Sequence, residues 1–247
     1  KSRLPDFSLA GYRNGEMSIP TLPVVTDVRR HGARGDGVSD DTAAFRRAVE
    51  STERGAILIP AGRYVLTDVV TIRRSGVVLR GEGPDRTVLV CPKSLTQVHG
   101  QEIVDGFKSK WAFTGGFVTL AGGAASSPAA QVSEPAERGD RVLTLSDASA
   151  FPSGVWIRLT MANVPSLGRY LHGDRFDPGP ATFREKKFFM DWVARVVARE
   201  GHRITLDRPL RLDLRPEWEP KAWTWHPLVE DVGVEHLSFE FPGVPKR

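Results

Sequence analysis

Asp27-Val28-Arg29-Arg30-His31-Gly32-Ala33-Arg34-Gly35-Asp36-Gly37-Val38-Ser39-Asp40-Asp41-Thr42 is the stretch from which the fold of this chain is read. Val24 to Val28 form a β-run, and Gly32, Gly35 and Gly37 supply the backbone freedom for a tight reversal. Asp40, with Ser39 as the alternative, is placed to cap a helix running from Asp41 to about Thr52. Its carboxylate can accept from the free amides of the first turn, where Asp41 adds favourable charge. Ala44, Phe45, Ala48 and Val49 recur at helical spacing, and Arg46, Arg47 and Glu50 lie on other faces. Such an amphipathic helix can cover a sheet edge that would otherwise pair with another chain.

Beyond Gly55 the period changes to that of strands. Ala56-Ile57-Leu58-Ile59, Arg63-Tyr64-Val65-Leu66, Val69-Val70-Thr71-Ile72, Gly76-Val77-Val78-Leu79-Arg80 and Thr87-Val88-Leu89-Val90 are short β-runs between turn residues. No helix between them is long enough for βαβ crossovers. Stacked rungs of a solenoid account for this pattern, and periodicity alone leaves a β-sandwich open. Three pieces, Asp27 to Thr42, Pro60-Ala61-Gly62-Arg63-Tyr64 and Gly76 to Gly83, resemble in their order the N-terminal portion of pectate-lyase-superfamily, rhamnogalacturonase/epimerase-like proteins. The resemblance covers about residues 24 to 90, and Val229 to Phe241 looks like a further rung. It implies a mainly β fold, a right-handed parallel β-helix with an N-terminal capping helix. Relatives of this kind include pectate lyases, rhamnogalacturonan hydrolases, exo-β-glucanases, epimerases and phage tailspike depolymerases.

The rest of the chain differs in character. Residues 1–25, with Pro5, Pro20 and Pro23, read as an irregular N-terminal arm, and 26–138 as the cap and first rungs. Ala121 to about Arg138, rich in Ala, Gly, Ser and Pro, reads as a flexible connection. Alternating strands at Arg141–Leu145, Val155–Leu159, Met190–Val197 and His202–Leu206 make 139–215 an inserted small β-barrel or sandwich module. Residues 216–247 read as the return to the β-helix, which is expected to continue beyond this chain.

The 247 residues, 40% hydrophobic and with a net charge of +4, suffice for a sizeable core. The basic residues are interspersed with acids, so no nucleic-acid arm is expected, and no run is long enough to span a bilayer. Cys91, the single cysteine, excludes an internal disulfide and reads as a buried small apolar residue. There is no His-Glu-x-x-His, no paired cysteines and no P-loop, so zinc and nucleotide cofactors are not expected. Calcium, which takes dispersed oxygen ligands, stays open.

Three clusters are candidates for chemistry. Asp36, Asp40 and Asp41 could supply paired carboxylates for hydrolysis, but turn formation and capping account for all three. Arg169-Tyr170-Leu171-His172-Gly173-Asp174-Arg175, within the connection Ala162 to Lys187, offers a base, a phenol, an imidazole and an acid. The family resemblance implies lyases in which Arg or Lys takes the proton beside a uronate carboxylate, and Arg169, Tyr170, His172 and Asp174 are the catalytic candidates on that basis. The alternative is a solvated surface loop. Lys221-Ala222-Trp223-Thr224-Trp225-His226 would place Trp223 and Trp225 on one face of an extended segment. Lys221, Trp223, Trp225 and His226 are therefore the substrate-binding candidates, the alternative being that the indoles seal a joint. Trp218 is ambiguous in the same way. The expectation is a secreted, extracellular or periplasmic protein that acts on a polysaccharide, with an anionic one as an option, preferably by β-elimination of a uronate glycan. Glycoside hydrolysis and non-catalytic, tailspike-like glycan binding are the alternatives. Further partners expected are the remaining C-terminal part of the same protein or a second copy of the chain.

Overall fold

The computed structural model describes residues 10–101, 103–104, 108–109, 111, 115–175, 188–227 and 229–243. The start of the N-terminal arm (1–9) and the end of the Ala162 to Lys187 connection (176–187) lie outside the described residues. The chain divides into two compact units, one formed by residues 20–122 with 228–247, the other by 1–19 with 123–227.

The first unit is built from parallel strands. Val24–Asp27, Gly55–Ile59, Val77–Gly81 and Gly233–Glu235 make one four-stranded sheet in that order, and Asp36–Asp40, Gly62–Val65, Thr87–Val90 and Ser238–Glu240 make another. All their pairings are parallel. The chain leaves Gly55–Ile59, contributes Gly62–Val65 to the second sheet, passes through Val70–Ile72, and returns to the first sheet at Val77–Gly81. The next circuit then lies beside the last, Ile57 opposite Leu79 and Tyr64 opposite Leu89. Ile57, Ile59, Tyr64, Leu66, Val70, Ile72, Leu79 and Leu89 fill the interior. Val70–Ile72 pairs in parallel with Val118–Leu120, and Ile103–Val104 with Lys108–Ser109 is an antiparallel exception.

The glycine turn and first helix close one end of this core. The helix runs Thr42–Ser51 and buries Ala44, Phe45, Ala48 and Val49, the face that its periodicity predicts. Phe45 meets Tyr64 edge-on at 5.6 Å. Gly35, at φ +65°, lies against the same ring, and a Cβ there would sit 2.7 Å from Tyr64 Cζ. The acids divide the work differently from the expected cap. Asp41, not Asp40, occupies the cap position without bonding the first turn. Its carboxylate, on a residue only 1% exposed, instead accepts from the backbone N–H groups of Arg34 (2.7 Å) and Gly35 (3.2 Å). Asp40 accepts from the Thr42 N–H and hydroxyl and from the Thr67 hydroxyl, tying the helix start to the next strand. The reversal needs two inward N–H groups satisfied, and the nearer carboxylate is drawn to them.

The second unit is a six-stranded antiparallel sheet in the order Gly123–Gln131, Lys221–Pro227, Trp156–Ala162, Phe188–Glu200, Arg203–Leu206 and Val142–Thr144. Its two edges meet: Val132 bridges Leu145, Ser133 N–H donates to Thr144 O (2.9 Å), and Ser146 N–H donates to Gln131 O (2.8 Å). Leu143, Ile157, Leu159, Ala194, Val196, Ile204 and Trp218 form the core of this closed sheet.

Two connections expected from composition are regular structure. Ala121 to Arg138 contains the strand Gly123–Gln131 rather than a flexible linker. Ladder bonds belong to the backbone, so a run of Ala and Ser can form them once a partner strand is beside it. Lys221–Pro227, expected to begin a return to the solenoid, is that partner strand. Within the Ala162 to Lys187 connection, Pro165–His172 is a helix, with Pro165 in its first turn and Gly173 at its end. Leu167 anchors it in the core.

Candidate functional site, an indole and guanidinium face

Alternation on two paired strands of the antiparallel sheet creates the site. Along Trp156–Ala162, Ile157, Leu159 and Met161 are buried, leaving Trp156 and Arg158 on the outer side. Along Lys221–Pro227, Ala222 and Thr224 point inward, leaving Lys221, Trp223 and Trp225 outside and half-buried. The register sets Trp156 opposite Trp225, Arg158 opposite Trp223 and Thr160 opposite Lys221. Cross-strand neighbours of this kind lie within side-chain reach.

Each indole is held. Trp223 Nε1–H donates to Thr160 Oγ1 at 3.0 Å, which explains why this outward threonine is 1% exposed. The Trp225 ring covers Gly123, where a Cβ would fall 2.3 Å from the ring carbon Cζ2. Any side chain there would displace the indole. Arg158 lies with its guanidinium carbon 5.8 Å from the Trp225 ring centre, and Arg208 lies 6.0 Å from that of Trp156. Arg208 is oriented by two hydrogen bonds to Asp207, at 3.1 and 2.8 Å. Flat aromatic surfaces flanked by forked cationic donors can stack on an apolar ring face while binding carboxylates or hydroxyls at its rim.

His226 belongs to the opposite parity from the two tryptophans and is exposed at the strand end, so the structure does not bring it into this row. Trp156, Arg158 and Arg208 were missed by sequence reasoning. The alternation of Val155 to Leu159 marks Trp156 and Arg158 as sharing a face, but nothing local tells which strand lies beside them.

The catalytic candidates do not converge. Tyr170 turns inward from the Pro165–His172 helix, its ring centre 4.9 Å from that of Trp218. Arg215 places its guanidinium carbon 4.9 Å from both rings and donates to Asp213 at 3.2 Å. Asp213 also accepts from the Arg138 N–H (2.9 Å) and from the Tyr170 hydroxyl. Burial, and then the Asp213 charge, raise the Tyr170 phenol above its ordinary value. Burial opposes ionisation of Asp213, but the Arg138, Arg215 and Tyr170 hydrogen bonds outweigh it and hold its carboxyl low. Tyr170 is thus a proton-bearing donor in a structural network. Arg169, His172 and Asp174 are exposed, with Arg169 and His172 one turn apart on the helix.

The acids of the glycine turn are likewise engaged. The Asp36 carboxyl is held at about 2 by the Ser39 and Val38 N–H groups and the Ser39 hydroxyl. Asp40 feels a burial penalty that the Thr42 and Thr67 hydrogen bonds overcome, leaving it low. Cys91 is fully buried, and burial pushes its thiol up to about 12. Among the described residues no three His, Cys, Asp or Glu side chains gather as a metal site. Among them, too, no helix is long and apolar enough to cross a membrane.

The parallel circuits of the first unit coincide with a family match. Residues 25–120 match the family described as rhamnogalacturonase A/epimerase, pectate lyase-like. This segment is pectate-lyase-like. The chain is also 29% identical over 96 residues to mannuronan C5-epimerase AlgE1 of Azotobacter vinelandii, a match that covers 34% of this chain and 7% of that protein. Among solved structures, the tailspike gp61 of Pseudomonas phage phi297 superposes with a TM-score of 0.56 at 17% identity, over 87% of this chain and 34% of the tailspike. The gp54 tailspike of Acinetobacter baumannii bacteriophage AP22, solved in complex with an A. baumannii capsular saccharide, gives 0.50 at 9% identity, over 88% and 28%. At such identities the likeness is one of fold: the chain is mainly β and similar to tailspikes. It spans about a third of those tailspikes and a small fraction of the epimerase, and the pectate-lyase-like segment is its first unit's principal stretch.

Proposed function

We propose that this chain is the glycan-binding part of an extracellular, carbohydrate-active protein of the tailspike-like kind. In this reading residues 20–122 and 228–247 are turns of a right-handed parallel β-helix, and Gly123–Pro227 is a β-barrel module inserted between them. The parallel pairing of successive circuits and the pectate-lyase-like match support the helix. The outer face of the antiparallel sheet holds the polysaccharide, and the Trp156–Trp225 pair bordered by Arg158, Arg208 and Lys221 is the observation that carries this. Stacking indoles select pyranose rings, and the cations favour an acidic polymer.

The test is affinity electrophoresis of the full chain through gels containing acidic capsular polysaccharide, polyuronate or a neutral glucan. Retardation should be greatest in the acidic gels, and Trp225→Ala should weaken it at least tenfold with an unchanged melting temperature. Equal retardation of the variant and the native chain would remove this reading. Cleavage by β-elimination is a second reading, favoured by the exposed Arg169 and His172 one helical turn apart. Incubation with polyuronates should then produce the ultraviolet absorbance of unsaturated sugars, abolished in Arg169→Ala. Its absence, with binding intact, assigns the chain to recognition.

A further inference from the structure

The outer face of the antiparallel sheet extends one strand beyond the indole pair. On Phe188–Glu200, Ala194 and Val196 are fully buried, which leaves Arg195 between them on the outside and exposed. The register sets Arg195 opposite Trp156, and Trp225 opposite Trp156 on its other side. One row across three strands therefore reads Trp225, Trp156, Arg195. Neighbours across paired strands stand about 4.5–5.5 Å apart at Cβ, so Arg195 is within reach of a ring stacked on Trp156.

Arg195 is fixed at its backbone and open at its head. Its N–H donates to Asp207 Oδ1 at 2.9 Å, and its carbonyl accepts from the Asp207 N–H at 2.8 Å. Its Nε–H donates to Gly154 O at 3.1 Å. Gly154 has φ +94°, and a Cβ there would lie 3.8 Å from Arg195 Nη2, so the guanidinium is laid beside bare backbone. Among the described residues no carboxylate pairs with it.

Arg208 is the opposite case. It borders the same indole, its guanidinium carbon 6.0 Å from the Trp156 ring centre. Its Nε and Nη2 both donate to the Asp207 carboxylate, however, and the two side chains are only 21% and 17% exposed. Asp207 is itself anchored, because its carbonyl accepts from Arg141 at 2.8 Å. A half-buried bidentate pair balances the charge of each partner. One indole is thus bordered by two guanidinium groups, one neutralised and one not.

We propose that Arg195 is the specificity-determining residue of the indole face, reading an anionic substituent on the sugar stacked on Trp156. Arg208, its charge balanced by Asp207, supplies a hydrogen-bond donor and little net field. The inference rests on the reading of this face as a glycan surface and adds which cation sets its charge preference. What Arg195 selects is the charge at the rim of the ring, whatever the sugar that carries it.

Affinity electrophoresis of the full chain through dextran and carboxymethyl-dextran, one backbone without and with carboxylates, tests this at low and high salt. The native chain should be retarded more by the charged polymer, an excess that salt removes. Arg195→Gln should lower that excess about threefold, the scale of one unit charge near a surface, and leave dextran retardation unchanged. Arg195→Lys should restore it. Asp207→Asn keeps an acceptor oxygen for the Arg195 N–H and releases the Arg208 charge, so it should raise the excess about twofold. Melting temperatures check that each variant is folded. The proposal fails if Arg195→Gln leaves the excess unchanged or weakens both polymers equally, or if Asp207→Asn does not raise it. Trp225→Ala separates the two readings. Its loss of retardation in both gels, with Arg195→Gln silent, overturns this inference alone. A silent Trp225→Ala, or a native chain retarded in neither gel, removes the glycan face itself.

Discussion

The two units solve the problem of a β-sheet's second face in opposite ways. In the parallel unit, Gly55–Ile59 and Val77–Gly81 are each buried at four positions of five. Leu22 covers Ala56 and Val78 on the side away from the main core. In the antiparallel unit, Trp156 to Leu159, Arg203–Leu206 and Lys221–Trp225 alternate between the core and the outside. Parallel strands covered on both faces read as continuous apolar runs, whereas an antiparallel sheet with one wet face alternates. Only the second arrangement puts a row of large side chains on an outer, half-buried face. The parallel unit thus buries both faces of its central strands, whereas the antiparallel unit buries one face and exposes the other.

That contrast can be read out separately for each unit. Cys91 is the single thiol and lies in the parallel core, so thiol labelling reports opening of that unit. Trp156, Trp192, Trp218, Trp223 and Trp225 lie in the other unit, and Trp111 is the sixth indole. Intrinsic fluorescence therefore follows mainly the antiparallel sheet. Trp218→Ala should have the largest effect, because it empties a fully buried indole site; the expected loss is ~3–5 kcal/mol. Urea unfolding followed by fluorescence should show it, with Cys91 labelling in the absence of urea unchanged. Movement of both signals together would mean that the units unfold as one.

Gly35→Val should act on the other unit, costing about 2–4 kcal/mol from a left-handed backbone and the clash with Tyr64. Faster Cys91 labelling at constant fluorescence is the expected result. Asp41→Ala should follow, at about 1–3 kcal/mol, because the Arg34 and Gly35 N–H groups lose their acceptor in a buried place. The smallest effect belongs to Asp36, whose folded value of about 2 lies below the ordinary 3.8. A depressed carboxyl stabilises the fold fully above the ordinary value, and that contribution disappears as pH falls through about 2. Melting temperatures of the native chain and Asp36→Asn should therefore differ at pH 6 and converge near pH 2. A gap that persists at pH 2 would show that the Asp36 charge is not its source.

The glycine turn, the helix face of Ala44, Phe45, Ala48 and Val49, and the short strands to Val90 were legible in the chain because each depends on neighbours within a few residues. Period and turn chemistry are local physics, and they agree with one another from Val24 to Val90, whereas the cap went to Asp41 rather than Asp40. Composition misled where backbone pairing mattered more than side chains. Gly123–Gln131 has the small residues of a linker, yet its ladder with Lys221–Pro227 needs only N–H and C=O groups, and Gly123 makes room for the Trp225 ring. The run Arg169 to Asp174 misled in another way. Closeness in sequence suggested a shared site, but a helix turns adjacent residues about 100° apart, and Tyr170 went inward to Asp213.

That Trp223 and Trp225 share one face follows from an extended backbone and could be stated from the order of residues alone; that this face is the outer one came from the structure. That Trp156, Arg158 and Arg208 stand beside them came only from tertiary structure. The reason is physical: strand order and register are settled by contacts between residues far apart in the chain, and no local propensity encodes which strand becomes a neighbour.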